Sequence, residues 1–380
     1  MVSSTSSVSW RNFSLLIALI IVWAFFAVAA PQFLSARNLT QLMIELSITA
    51  ILALGMLLVI LPGQIDLSVG SGVGLIGGIA SVLVFNHDWS APTAMLAGLG
   101  VALVLWFLMG SLIVREKIPA FIITLGGLLV FRGLFWMVIQ SRTIPVVHGG
   151  EANAYSILTT YYFSVPFGLG LATAIALAFA GAMWKDRRER RAFGFDLEPG
   201  EIAFFKWFIA AQLVFLLVII CNLYRGVPLS LVILGAVALG IYILTQHTPF
   251  GRYLYAIGGN EQAAIISGIR VERVVITAFT IVGAIVALTA YLQTAYAGAS
   301  TTTVGDLMEL DAIAACVIGG TSLRGGRGSV AGVLFGALLM ASLLNGMTLM
   351  ALPPEIKFVA RGLVLALAVW MDVRLTRMAA

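Results

Sequence analysis

The residues able to do chemistry in this chain are few, and they are placed for little of it. A P-loop needs a lysine followed by Ser or Thr, so that backbone amides and the ammonium hold phosphates while the hydroxyl holds magnesium. The four lysines are followed instead by Ile118, Asp186, Trp207 and Phe358. The string AIGGNEQA (256–263) places no third glycine to open a dinucleotide-binding helix. His87, His148 and His247 stand alone, and Cys221 and Cys316 fall inside apolar runs, where they read as small core residues. No nucleophile has a base beside it. The chain is expected not to be an enzyme, to bind no metal and to hold no cofactor of its own. Ionisable groups at mid-membrane would point to ion coupling. Arg132 and Arg361 can snorkel to a near surface, Glu309 and Asp311 read as helix-start carboxylates, and no carboxylate is read in the middle of a bundle.

The elements that carry these residues are membrane spans. The 380 residues are 61% hydrophobic and 10% charged, with mean hydropathy +1.04, against roughly one quarter charged for a soluble domain. A bilayer core of roughly 30 Å needs about 20 apolar residues per helix. Continuous runs of that kind occur near 13–30, 39–61, 67–85, 92–114, 118–139, 165–184, 202–223, 227–246, 274–293, 308–321, 329–350 and 356–373. The fold class is an all-α polytopic helical bundle of about 12 spans (10 to 12), one domain over 1–380. The first run ends in AAPQF, a poor cleavage site, and reads as an uncleaved span. With the N-terminus inside, sixteen basic residues (Arg11, Arg115, Lys117, Lys185, Arg187, Arg188, Arg190, Arg191, Lys206, Arg252, Arg270, Arg273, Arg324, Arg327, Arg374 and Arg377) are cytoplasmic. Only Arg37, Arg142, Arg225 and Lys357 are outside. Both termini are then cytoplasmic. The net charge of +5 needs no nucleic-acid partner. The basic loop 185–201, with KDRRERR at its start, reads as an anchor beside acidic headgroups of the lipid bilayer.

Two polar stretches interrupt the apolar pattern. In the loop 247–273, Asn260 is an N-cap, Glu261 suits the positive helix end, Gln262, Ala263 and Ala264 continue a helix of about two turns, and Gly268 stops it. Gly258 and Gly259 read as its flexible approach. A helix so short needs a partner surface, and the alanines would let another protein come close. At 61–68, LPGQIDLS lacks Lys and Arg although parity places it inside, and 308–321 is short for a crossing; both suggest broken or re-entrant helices. Asp66, Ser68 and Ser71 then either cap and pack a glycine-rich helix or line a translocation path. Thr321 and Ser322, in GGTSLRGGRGS (319–329), form a tight turn or part of an inner gate. Asn345 is a helix–helix hydrogen bond or a ligand contact.

GRYLYAIGGNEQAAIISGI (251–269) resembles the coupling loop of bacterial ABC sugar permeases of the ribose/xylose/galactose group. GQIDLSVGS (63–71), IPAFIITLGGLLVFRG (118–133) and ELDAIAACVIGGTSLRGGRGSVAG (309–332) are similar to further stretches of that family, in the same order. The additional hydrophobic pair 165–184 and 202–223 is similar to the xylose-type members. Pro62 departs from the pattern. The resemblance implies a type II-like ABC importer permease with broken helices in the bacterial inner membrane. It implies a homodimer, an ATPase subunit carrying ATP and magnesium, and a periplasmic sugar-binding protein received near 140–164. It also implies a monosaccharide substrate, D-xylose ahead of ribose or galactose. Gly258, Gly259, Asn260, Glu261, Gln262, Ala263, Ala264 and Gly268 would then form the ATPase-coupling element. A facilitator that needs no ATPase remains the rival reading.

Overall fold

A computed structural model of the chain describes residues 10–379, and side-chain environments for 15–370. Arg11, Arg374 and Arg377, counted in the charge asymmetry, fall outside those side-chain descriptions. The first helix, α1 (Trp10–Ala29), is followed by α2 (Ala36–Ile60), α3 (Val69–Asn86), α4 (Ala91–Glu116) and α5 (Ala120–Val138). After a two-residue strand β1 (Ile144–Pro145) come the single turn α6 (Ile157–Thr160) and β2 (Tyr162–Phe163). The long pair α7 (Val165–Ala192) and α8 (Gly200–Asn222) leads through β3 (Val227–Pro228) to α9 (Leu229–His247), α10 (Pro249–Gly259) and α11 (Glu261–Ile266). The chain ends with α12 (Val271–Ala297), β4 (Ala299–Ser300), α13 (Met308–Ile318), α14 (Val330–Leu349) and α15 (Pro354–Ala379).

Every run read as a span is helical. Among the described residues, nine helices are long and apolar enough to cross a membrane, with Leu15–Ala29 as a shorter apolar helix. The caps explain several starts. Ser35, Ser90, Thr248, Asn260 and Ser329 each accept a backbone N–H from the first turn they precede.

α2, α3 and α12 make the centre, with α4, α13 and α14 around them. α2 is 83% buried over its apolar window, whereas α7 and α8 are each 17% buried and pack mainly on one another. The pair is therefore peripheral, with its outer faces left for lipid. Glycines let the central helices meet: a Cβ at Gly72 would collide with Trp106, and one at Gly77 with Thr294. Two short antiparallel pairings, β1 with β4 and β2 with β3, tie the loops together.

One boundary differs from expectation, and one short element agrees with it. KDRRERR is not loop: α7 runs on to Ala192, supported by Lys185–Glu189 and Asp186–Arg190 pairs one turn apart. Only 193–199 is a connection between helices. α13 has eleven residues, about 16 Å of helix, and stops inside the bundle. The loop after it satisfies its own backbone: the N–H groups of Gly320, Thr321 and Ser322 bond to Val317, Cys316 and Arg327.

Candidate functional site

The polar loop after α9 folds as two helices. Thr248 Oγ1 caps α10 by accepting from Gly251 N, and Asn260 Oδ1 caps α11 by accepting from Ala263 N at 3.0 Å. Gly268, at φ +81°, ends the second helix. Glu261, Gln262 and Ala263 are exposed, as are Ile265 at 53% and Ile266 at 86%. Ala264 is not available to a partner. It is 3% exposed and belongs to this chain's own buried core.

Gly258 is the larger correction. It is no flexible approach but the last turn of α10, wedged where three segments meet. A Cβ there would collide with Leu61 O, Gly326 N and the Gly325 Cα. Gly326 N donates to Leu61 O at 2.9 Å. Gly63, Gly325 and Gly326 hold φ of +82°, +85° and +73°, which only glycine adopts without strain. Tyr255 adds a side-chain tie: its hydroxyl donates to Gly328 O at 2.9 Å and accepts from Gln246 Nε2 at 3.1 Å. Burial raises the pKa of this phenol, which keeps the proton on the donor. The helix pair is thus locked to the end of α2 and to the loop that opens α14.

The residues read as pathway or gate are not brought together. Asp66 is fully buried, and its oxygens are occupied: Oδ1 accepts from Ser68 N and Oγ at 2.8 and 2.6 Å, and Oδ2 from Trp106 Nε1 at 2.7 Å. Ser71 donates to Ser68 O at 3.0 Å. This cluster anchors the loop between α2 and α3. Thr321 and Ser322 are buried in the turn after α13, Ser322 Oγ accepting from Arg324 N. Asn345 is elsewhere, near the far end of α14, bonded to Asn38 on α2.

At that far end lies what the sequence reading passed over. Glu45, inside α2, accepts from Tyr296 Oη at 2.6 Å and from Asn345 Nδ2 at 3.0 Å. Its signal was a lone carboxylate within the run 39–61, a costly residue inside a membrane helix. Glu309 and Asp311 stand in the first turn of α13, as read, and are 7% and 5% exposed; Arg361 does not snorkel but pairs with Asp311 at 3.2 Å. Arg132 does lie toward the exterior, paired with Asp306 at 3.1 Å over the Trp136 ring. Among the described residues no group of three His, Cys, Asp or Glu could hold a metal.

Residues 38–369 match the model of the family described as branched-chain amino acid transport system / permease component. The chain is 38% identical to the xylose transport system permease protein XylH of Escherichia coli (strain K12), over 97% of this chain and 93% of the relative. It is 37% identical to XylH of Haemophilus influenzae, over 96% and 97% respectively. To the ribose import permease protein RbsC of Escherichia coli (strain K12) it is 31% identical, over 94% and 92%. No solved structure matches it.

Proposed function

We propose, from the premise that this chain belongs to the branched-chain amino acid transport system permease-component family, that it is the membrane-spanning subunit of an ATP-driven importer of a monosaccharide, D-xylose. Identity of 38% to xylose permeases against 31% to a ribose permease favours that cargo. ATP hydrolysis belongs to a separate subunit that carries ATP and magnesium, and this chain holds no cofactor. Two copies of the chain form the pathway in the bacterial inner membrane, with both termini and α10–α11 cytoplasmic. A periplasmic sugar-binding protein delivers the cargo on the opposite side.

The observation that carries this reading is the backbone junction of Gly258 with Leu61–Gly63 and Gly325–Gly326. α11 exposes Glu261, Gln262, Ile265 and Ile266 to a partner, and α10 presses directly on the loops that end α2 and begin α14. When the ATPase closes on ATP and displaces α11, both helices receive the movement with no flexible segment between. Packed elements of this kind switch between arrangements rather than deform continuously.

A carrier working without ATPase is the second reading, and the half-buried Glu45 and the buried Asp311 favour it, since intramembrane carboxylates serve ion-coupled transport. One experiment separates the two: uptake of labelled xylose into vesicles holding this chain, its ATPase and the binding protein, with Glu261→Arg alongside. Uptake should require ATP, and the reversed charge should lower it at least about tenfold, about 1.4 kcal/mol of coupling, while the protein still inserts. Uptake without the ATPase moves the carrier reading to the front.

A further inference from the structure

The strongest unassigned feature is a cavity of about 290 Å³ among α2, α12, α13, α14 and α15. It lies at the end of α12 opposite α10–α11, beside the 299–307 connection. Its size is near the lower end of small-molecule sites, about 300 Å³. Asp311 is 5% exposed, yet its Oδ1 has no hydrogen-bond partner; only Oδ2 meets Arg361. Arg361 Nε is likewise buried without a partner. Buried polar atoms left unpaired cost about 1–3 kcal/mol each, so both side chains gain by turning these atoms from the cavity wall toward a ligand in the cavity that their residues line. Glu45 forms another wall, held in place by Tyr296 and Asn345, with Gln41 donating to the Tyr296 hydroxyl at 2.7 Å.

We infer that this cavity is a binding station for a neutral polyhydroxylated ligand, a monosaccharide, within the permease itself, a step that rests on the import reading above. A hydroxyl both donates and accepts, so once these side chains turn inward one sugar hydroxyl can donate a hydrogen bond to Asp311 Oδ1 while a neighbouring oxygen accepts from Arg361 Nε. Hydrogen bonds to charged groups are the stronger kind. A free anion would meet three carboxylates here: Glu45, Asp306 and Asp311. A metal cation would meet the Arg361 guanidinium, and the residues lack a metal-holding cluster among those described.

The test uses the full-length chain in lipid nanodiscs, with no ATPase present. Thr303 is exposed at the cavity rim, and the native Cys221 and Cys316 are both buried. A Thr303→Cys reporter is therefore the reactive thiol toward a charged, water-soluble maleimide. D-Xylose should slow its labelling at least about threefold, whereas L-leucine and an osmotically matched polyethylene glycol should not. The slowing should disappear in Asp311→Ala, which removes the acceptor, or in Arg361→Lys, which keeps the charge and loses Nε–H, should the first variant not insert. Equal labelling with and without xylose overturns the inference. So does equal slowing by leucine or polyethylene glycol, or protection that persists in both variants. ATP-driven uptake without protection sinks the cavity alone; protection without ATP-driven uptake sinks the import reading alone.

Discussion

Asp66 shows how differently a residue reads in a string and in a structure. GQIDLSVGS leaves it open between cap and pathway, because a string cannot say which atoms spend a carboxylate's lone pairs. The deciding partner, Trp106, is forty residues away on α4, and its indole N–H donates to Asp66 Oδ2 at 2.7 Å. A carboxylate so occupied holds a loop. Trp106→Phe should lower stability by about 1–3 kcal/mol, the cost of leaving one buried oxygen unpaired. Thermal unfolding of purified protein measures it, and uptake per folded molecule should be unchanged. A collapse of uptake with stability intact would return Asp66 to the pathway. Glu45 has the opposite history. Its place inside an apolar run was there to be read, though the reading passed over it, but its partners Tyr296 and Asn345, on α12 and α14, were not. Contacts across 251 and 300 residues leave no trace in local pattern.

Helices obey local rules, and so the elements were largely readable. The cap at Asn260, the stop at Gly268 and the apolar runs all describe nearest neighbours. What pattern does not carry is how two helix ends meet. Gly258 and Gly240 are both glycines inside apolar helices, yet only Gly258 has backbone on three sides, while a Cβ at Gly240 meets open space. Gly258→Ala should therefore cut ATP-driven xylose uptake at least about tenfold, because α10 must draw away from Leu61 and Gly326, while Gly240→Ala should leave it at the wild-type level. Equal behaviour of the two variants would mean that the junction carries no force between α11 and the loops of α2 and α14.

For the whole molecule, the governing quantity is which end faces which side. The orientation proposed from charge asymmetry has α10–α11 inside and the cavity beside 299–307 outside. α12 connects the two: its 27 residues span about 40 Å, enough to cross the roughly 30 Å hydrocarbon core and emerge on both sides. Ser267 is exposed just before this helix and Thr303 just after it. Single reporters Ser267→Cys and Thr303→Cys, in right-side-out vesicles with a membrane-impermeant maleimide, should give opposite results. Thr303→Cys labels from outside, and Ser267→Cys labels only after the vesicles are opened. Labelling of both from one side would mean that α12 does not cross, which its burial between α2, α3 and α4 makes costly. The inverted outcome, Ser267→Cys outside, would put the α11 surface beyond reach of any ATP-binding partner. It would also turn the Asp311–Arg361 cavity toward the cytoplasm, so this pair of reporters fixes the direction in which both halves of the proposed transport path must be read.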